Sequence, residues 1–313
     1  MNQRVKAIAS ALSSAFFLGL TPIFGKQSIL LGFTPLAVVA IRTTIAALLF
    51  FLFLIVFKKS FFYIFPLGLA GCILAGFING LGSILYYTGL SRIDAGIGQL
   101  LYSFYPLFMA FWLLVDRQSI SKVTILRLLL SLPGVFLLLS NSSEKVDILG
   151  AGLMFGAALL YALHLLINQR VLYDVPAPTV TFYTLLGMAI TVCIAFLAFN
   201  PTFPPSTTAW WPLLVLALIT FLARFTLFFG VKHLGGLQTS LLGLGELLIT
   251  LILAQIFLHE TLTVNQWIGA LLIALNLILV AYDKPTVLKR FGKSFLNWLT
   301  PPEISPTEFP FRD

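Results

Sequence analysis

Long apolar runs alternate along the chain with short polar or turn-forming breaks, and each run is about as long as a bilayer is thick. A helix rises 1.5 Å per residue, so about 20 mostly apolar residues cross the hydrocarbon core. Ten such runs are present, over residues 7–31, 36–57, 62–88, 94–115, 122–140, 148–169, 178–199, 210–232, 237–259 and 264–282. The ten-residue alternation of a membrane barrel is absent. The expected fold class is an all-α integral membrane protein with ten transmembrane helices. The first run is too long for the apolar part of a secretory signal and lacks a convincing cleavage site, so it is read as span one.

The order of spans and breaks repeats. Tyr86-Tyr87-Thr88-Gly89-Leu90 ends span three and Leu227-Phe228-Phe229-Gly230-Val231 ends span eight, an offset of 141 residues. Each half holds five spans, an odd number, so similar halves enter the membrane from opposite sides. The expected organisation is a first five-helix repeat over 7–140, an inverted second repeat over 148–282, and a cytoplasmic tail over 284–313. In that tail Val287, Leu288, Phe291, Phe295 and Trp298 fall at helical spacing beside Lys289, Arg290 and Lys293, which predicts a short helix on the inner leaflet. The four prolines after Thr300 predict disorder beyond it. Inverted repeats are a recurring plan of secondary transporters, whose substrate site lies near midplane where the halves meet.

Composition agrees with burial in lipid. Of 313 residues, 59% are hydrophobic and 10% charged, against roughly 25% charged in soluble domains. The net charge of +8 is gathered in short loops and the tail, which suits anionic headgroups and not nucleic acid. Placing the N-terminus in the cytoplasm puts Arg4, Lys6, Lys58, Lys59, Arg117, Lys122, Arg127, Arg170, Lys232, Lys284, Lys289, Arg290, Lys293 and Arg312 inside. Lys26, Arg42, Arg92 and Lys145 then lie outward. This asymmetry predicts two cytoplasmic termini in a plasma (inner) membrane protein. Trp210, Trp211 and Trp267 at the outer ends of spans, and Trp112 at an inner one, suit headgroup depth. Lys26 and Arg42 are read as snorkelling to the outer headgroups, with an outer gate or rim as the alternative.

Several segments carry a family resemblance. Ala40-Ile41-Arg42-Thr43 opens span two. The passage YYTGLSRIDAGIGQLLYSFYP, from Tyr86 to Pro106, joins spans three and four. Gly245-Glu246-Leu247 lies in span nine, and His259-Glu260-Thr261-Leu262-Thr263 closes it. Together these resemble the EamA-type transporters of the drug/metabolite transporter superfamily over about residues 7–282. Leu247 stands where that family usually has proline, and Ser119 occupies the first-half place of Glu260. The resemblance implies movement of small metabolites, often amino acids or their relatives, commonly outward.

Charge at membrane depth points to the candidate site. An ionised side chain at a helix centre costs on the order of 2.5–3.5 kcal/mol by insertion scales. Arg224 in span eight and Glu246 in span nine each lie about ten residues from the turn near Leu234–Gly236, hence roughly 15 Å above the inner surface. Two readings stay open. Either they form an ion pair tying the two helices together, or they line a substrate cavity. In the second, Arg224 would hold a carboxylate and Glu246 an amino group or a proton. The 141-residue offset maps Arg224 to Ser83 and Glu246 to Tyr105, so Asn79, Ser83, Tyr86, Tyr102 and Tyr105 are candidate lining residues, with interhelical hydrogen bonding as the plainer role. Such a cavity suits an amphipathic or zwitterionic small molecule. Pro22 and Pro106 interrupt spans one and four and are candidate kinks for gating. His164 is read as a packing residue. Gly76-x-x-x-Gly80 and Gly152-x-x-x-Gly156 allow close helix approach within the chain, with a homodimer as the alternative.

Other chemistry is not indicated. No phosphate-binding loop, nucleophile elbow or catalytic set is present, so no catalytic residue and no cofactor are expected. His164, His233 and His259 are dispersed, and Cys72 and Cys193 sit in apolar runs, so neither a metal site nor a disulfide is expected. Asn141-Ser142-Ser143 is formally a glycosylation sequon. The reading is a carrier whose partners are a small substrate and the bilayer, most often working in efflux. The rival from another class is a membrane-embedded enzyme on lipid-like substrates, which would place several acidic or basic groups at one interface.

Overall fold

The computed structural model describes residues 3–118, 120–139, 147–199, 201–202, 204, 207–249, 252, 263–279, 282 and 296–299. Ser119, the Asn141–Ser143 sequon, the His259–Leu262 signature and the interfacial helix expected around 287–295 lie outside these residues.

All regular structure among the described residues is helical: α1 Gln3–Leu30, α2 Pro35–Phe57, α3 Pro66–Arg92, α4 Ala95–Tyr102, α5 Tyr105–Val115, α6 Lys122–Leu139, α7 Ile148–Val171, α8 Ala177–Phe199, α9 Trp211–Leu234, α10 Gly236–Gly243 and α11 Val264–Ile278. Helix resumes over 245–249 after a turn at Leu244. Counting α4 and α5 as one passage, seven helices among the described residues are long and apolar enough to cross a membrane; the segment 236–249 and the apolar end of α11 are shorter. Exposed Leu48, Leu52, Val56 and Phe57 on α2, and Ile190, Ile194 and Leu197 on α8, present oily surface outward. That is what a lipid-facing helix requires.

Local chemistry sets the boundaries. Thr34 caps α2, its hydroxyl accepting from the Ala37 N–H at 3.2 Å, and Pro35 follows at the first helical position, where its missing N–H costs nothing. Asp147 caps α7 in the same way through the Leu149 N–H at 3.1 Å. Span three begins at Pro66, four residues later than expected, because Lys59–Phe62 forms a 3-10 turn first. Gly235, at φ 87°, makes the joint between α9 and α10, in the left-handed region that side chains resist. The two prolines behave differently. Pro106 sits in the first turn of α5, where span four is divided at Ser103–Phe104. Pro22 does not interrupt its span: α1 runs unbroken through it.

The helix pairing carries the two-repeat plan. The heaviest contacts join α1 to α9 and α3 to α7. If the first half is exchanged for the second, α1 becomes α7 and α9 becomes α3, so these two pairs are counterparts. The same exchange turns α2 with α9 into α8 with α3, and α4 with α7 into α10 with α1, all of them packed pairs. The pairs α2–α8 and α6–α11 map onto themselves. Glycine makes one of these approaches possible. A Cβ on Gly76 would lie 2.5 Å from the Thr184 carbonyl oxygen, and one on Gly80 would lie 2.9 Å from the Thr191 Cβ, so this motif docks α3 on α8. Gly152 meets nothing within 4 Å, so the second motif is not an equivalent seam.

Buried polar groups tie the assembly together away from its centre. The Asp116 carboxylate, fully buried at the end of α5, accepts from Arg170 Nη2 of α7 at 2.6 Å and from Gln118 Nε2 at 2.7 Å. Beside it the Gln169 amide oxygen accepts from the Gly236 N–H at 2.7 Å. Arg127, counted from sequence among the cations on the inner side, is fully buried in α6, where its Nε donates to the backbone and side-chain oxygens of Asn276, each at 3.2 Å. Near the other ends of the helices, Lys26 Nζ donates to the carbonyls of Leu90 and Ile93 at 2.8 and 2.9 Å. A cation there answers the free carbonyls at the end of α3. In the tail, Asn297–Leu299 forms a 3-10 turn whose Leu299 packs at Gly71 of α3.

Candidate functional site

An internal cavity lies where α1, α2, α3, α4, α7 and α9 converge with the 245–249 segment. Residues on one helical face recur at three- and four-residue steps, and α3 uses this to present Asn79, Ser83, Tyr86 and Tyr87 together. Helix α4 adds Gln99 and Tyr102, α7 adds Tyr161, α9 adds Arg224, and Glu246 enters from beyond the turn at Leu244.

The predicted residues largely come together. Arg224, Glu246, Asn79, Ser83, Tyr86 and Tyr102 all line the cavity. Tyr105 stands behind it, its hydroxyl donating to Glu246 Oε1 at 3.4 Å; these are the two positions that the 141-residue offset equates. The contact depends on Gly243, where a Cβ would overlap the Tyr105 hydroxyl. Pro22 is buried beside the lining residue Thr21, and Pro106 follows Tyr105 at the break in span four.

Arg224 and Glu246 are each held by other groups. Gln99 Nε2 donates to Glu246 Oε2 at 2.8 Å, and the Tyr86 hydroxyl donates to Gln99 Oε1 at 3.1 Å. Arg224 Nη1 lies 3.3 Å from Nε2 of the buried His164, Nη2 donates to Asn79 Oδ1 at 3.4 Å, and its guanidinium carbon lies 5.5 Å from the centre of the Tyr161 ring. His164 is thus both a packed residue and a support for Arg224; Asn168 and Thr184 continue the chain at 2.8 Å each.

Arg42 corrects one sequence reading: it does not reach outward to headgroups. It is 5% exposed, lines the cavity, donates from Nη1 to the Thr220 hydroxyl at 3.0 Å and lies 4.7 Å from the centre of the Tyr87 ring. Its position near the start of α2 suggested the rim, but α9 and α3 pack over that end and close it from lipid. Gln99 was missed as well. Its signal was an amide inside an apolar run, one turn before the Tyr102–Tyr105 pair.

The walls combine aromatic and charged surface. Tyr102 packs against Tyr86, Tyr105 and Tyr161 with ring centres 4.9, 5.6 and 5.5 Å apart. The volume is about 50 Å³. A water needs ~10–15 Å³ measured this way and ligand pockets run to roughly 300–1,000 Å³, so the cavity as it stands holds a few waters. Admitting a metabolite requires the walls to part.

Comparison with known proteins bears on the whole chain. The sequence profile described as the EamA-like transporter family matches residues 5–140 and 148–282. A protein of Synechocystis sp., named only as an uncharacterized transporter, is 28% identical over 242 residues, covering 72% of this chain and 69% of that one. A solved crystal structure aligns with a TM-score of 0.64 at 17% identity, over 86% of this chain and 97% of the other. At that identity the likeness speaks for the fold.

Proposed function

The chain belongs to the EamA-like transporter family of the drug/metabolite transporter superfamily, and on that premise we propose that it is a secondary carrier exporting small amphipathic or zwitterionic metabolites, amino acids or their relatives among them. In this reading ten spans form two inverted five-helix repeats, over 7–140 and 148–282. Both termini are cytoplasmic, and the protein sits in the plasma (inner) membrane. The excess of Lys and Arg in alternate connections supports that orientation.

One observation carries the mechanism. The cavity is walled by both repeats, with Arg42, Asn79, Ser83, Gln99 and Tyr102 from the first and Tyr161, Arg224 and Glu246 from the second. A site shared by two rigid units changes access when one unit rocks against the other, and a substrate bound between them travels without leaving its contacts. Arg224 holds a carboxylate, and Glu246 holds an ammonium or carries a proton. The tyrosines give apolar faces to the rest of the molecule. Residues 103–104, between α4 and α5, and the turn at Leu244 supply bending points beside the site.

The test is counterflow in liposomes with a panel of labelled amino acids and amines. Accumulation of label against unlabelled internal substrate supports a carrier; chemical conversion of a panel member without flux refutes it in favour of an enzyme. Membrane-impermeant thiol labels on single cysteines at Asn141 and Lys284 test the threading, which fails if both react from one side.

A further inference from the structure

The cavity's charges do not cancel among themselves. Arg42 and Arg224 are each 5% exposed and Glu246 3%. Two guanidiniums face one carboxylate, and among the described residues neither guanidinium has a carboxylate within ion-pairing distance. Both oxygens of Glu246 are engaged by Gln99 and Tyr105.

The arginines are also poorly spent as donors. A guanidinium carries five N–H groups arranged to fork onto carboxylates. Arg42 uses Nη1 on Thr220 and reaches Ser83 Oγ only at 3.5 Å with Nη2, while its buried Nε has no hydrogen-bond partner. Arg224 reaches only neutral groups, at 3.3 and 3.4 Å. Each ring neighbour, Tyr87 and Tyr161, covers a guanidinium carbon and leaves the N–H groups for other partners. Removal of charge from water is tolerated when an opposite charge meets it; among the described residues none meets either arginine, which leaves that place to a ligand.

We propose that the substrate is a small amino acid carrying a second acidic group, so that two anionic groups meet Arg42 and Arg224 and one ammonium meets Glu246 within the tyrosine walls. This rests on the carrier reading and sharpens it: Arg42 becomes the residue that separates acidic amino acids from their neutral counterparts. A neutral amino acid leaves one guanidinium unanswered. A dicarboxylate without an amine leaves Glu246 facing added negative charge.

Closely matched compounds test this. Glutamate and aspartate are compared with glutamine and asparagine, which are nearly the same shape without the second charge, and with succinate, which lacks the amine. Binding is read by thermal shift of the full-length protein in detergent and flux by counterflow. Acids should outcompete their amides at least tenfold in both, and succinate should be weaker than the acids. Arg42→Gln should collapse the acid-to-amide ratio toward one, and Arg42→Lys, which keeps the charge without the fork, should restore part of it. Size-exclusion profiles identify any variant that fails to fold, and the compound series on the unaltered protein then decides alone. Equal or better binding of amides or amines overturns the proposal while leaving the carrier reading intact. Acid-selective binding with no flux overturns the carrier reading and leaves the specificity assignment.

Discussion

Replacing Asp116 with asparagine tests how firmly one end of the helix assembly is pinned. The carboxylate is fully buried and Arg170 is 7% exposed, with 2.6 Å between Oδ2 and Nη2. Asparagine keeps the size and one oxygen acceptor but removes the charge that balances the guanidinium. Exposed ion pairs contribute about 0–1 kcal/mol, whereas removing one partner of a buried pair costs about 3–5 kcal/mol because the other charge stays buried alone. The retained acceptor puts the expectation at the lower end, about 3 kcal/mol. The assay is unfolding in mixed micelles titrated with SDS, followed by tryptophan fluorescence, on the wild type, Asp116→Asn, Arg170→Gln and the double variant. The double variant should be less destabilised than the sum of the singles, since it leaves no lone charge. Single costs below about 1 kcal/mol with no coupling would place the pair in the class of solvated surface contacts and refute the reasoning.

Gly76→Ala drives a Cβ into backbone atoms of α8 at 2.5 and 2.7 Å, which cannot swing aside, so it should cost about 1–3 kcal/mol in the same unfolding assay; Gly152→Ala, with open space around it, should be neutral. Glu246→Gln and Arg224→Ala should each abolish counterflow while the protein still inserts and elutes as a single species, and full transport by both would remove the site from the mechanism. The Arg92 guanidinium, hydrogen-bonded at 3.1 Å, holds the exposed Asp147 carboxyl below its usual range. A depressed carboxyl stabilises the fold above its ordinary titration range near pH 4 and loses that contribution as pH falls through the lowered value. Melting midpoints of the wild type and Asp147→Asn should therefore converge between about pH 5 and pH 3; a gap that persists would assign Asp147 only its capping role.

The spans were legible because one physical length, the hydrocarbon thickness, sets them, and apolar runs of that length seldom arise outside a bilayer. The candidate site was legible in its second half because a charge inside such a run needs a reason. The offset paired Tyr105 with Glu246 as equivalent positions, and the structure adds that they touch, as matched positions near a two-fold axis can. The misreading of Arg42 and the unforeseen burial of Arg127 share a cause. Depth along one helix says how far a residue lies from the interface, but not whether another helix covers it. Thr220 and Asn276, the groups that receive these arginines, lie 178 and 149 residues away. Pro106 and Pro22 show a similar limit: only the first coincides with a division of its helix, and the same residue type at the same kind of position gives no warning which will.

The exchange of partners between α1–α9 and α3–α7 has a consequence for engineering. The heaviest packing of the first and third helices of either half is with the third and first helices of the other half. Severed between residues 140 and 147, the chain should give two fragments neither of which persists by itself, yet the two made together should reassemble into a working whole.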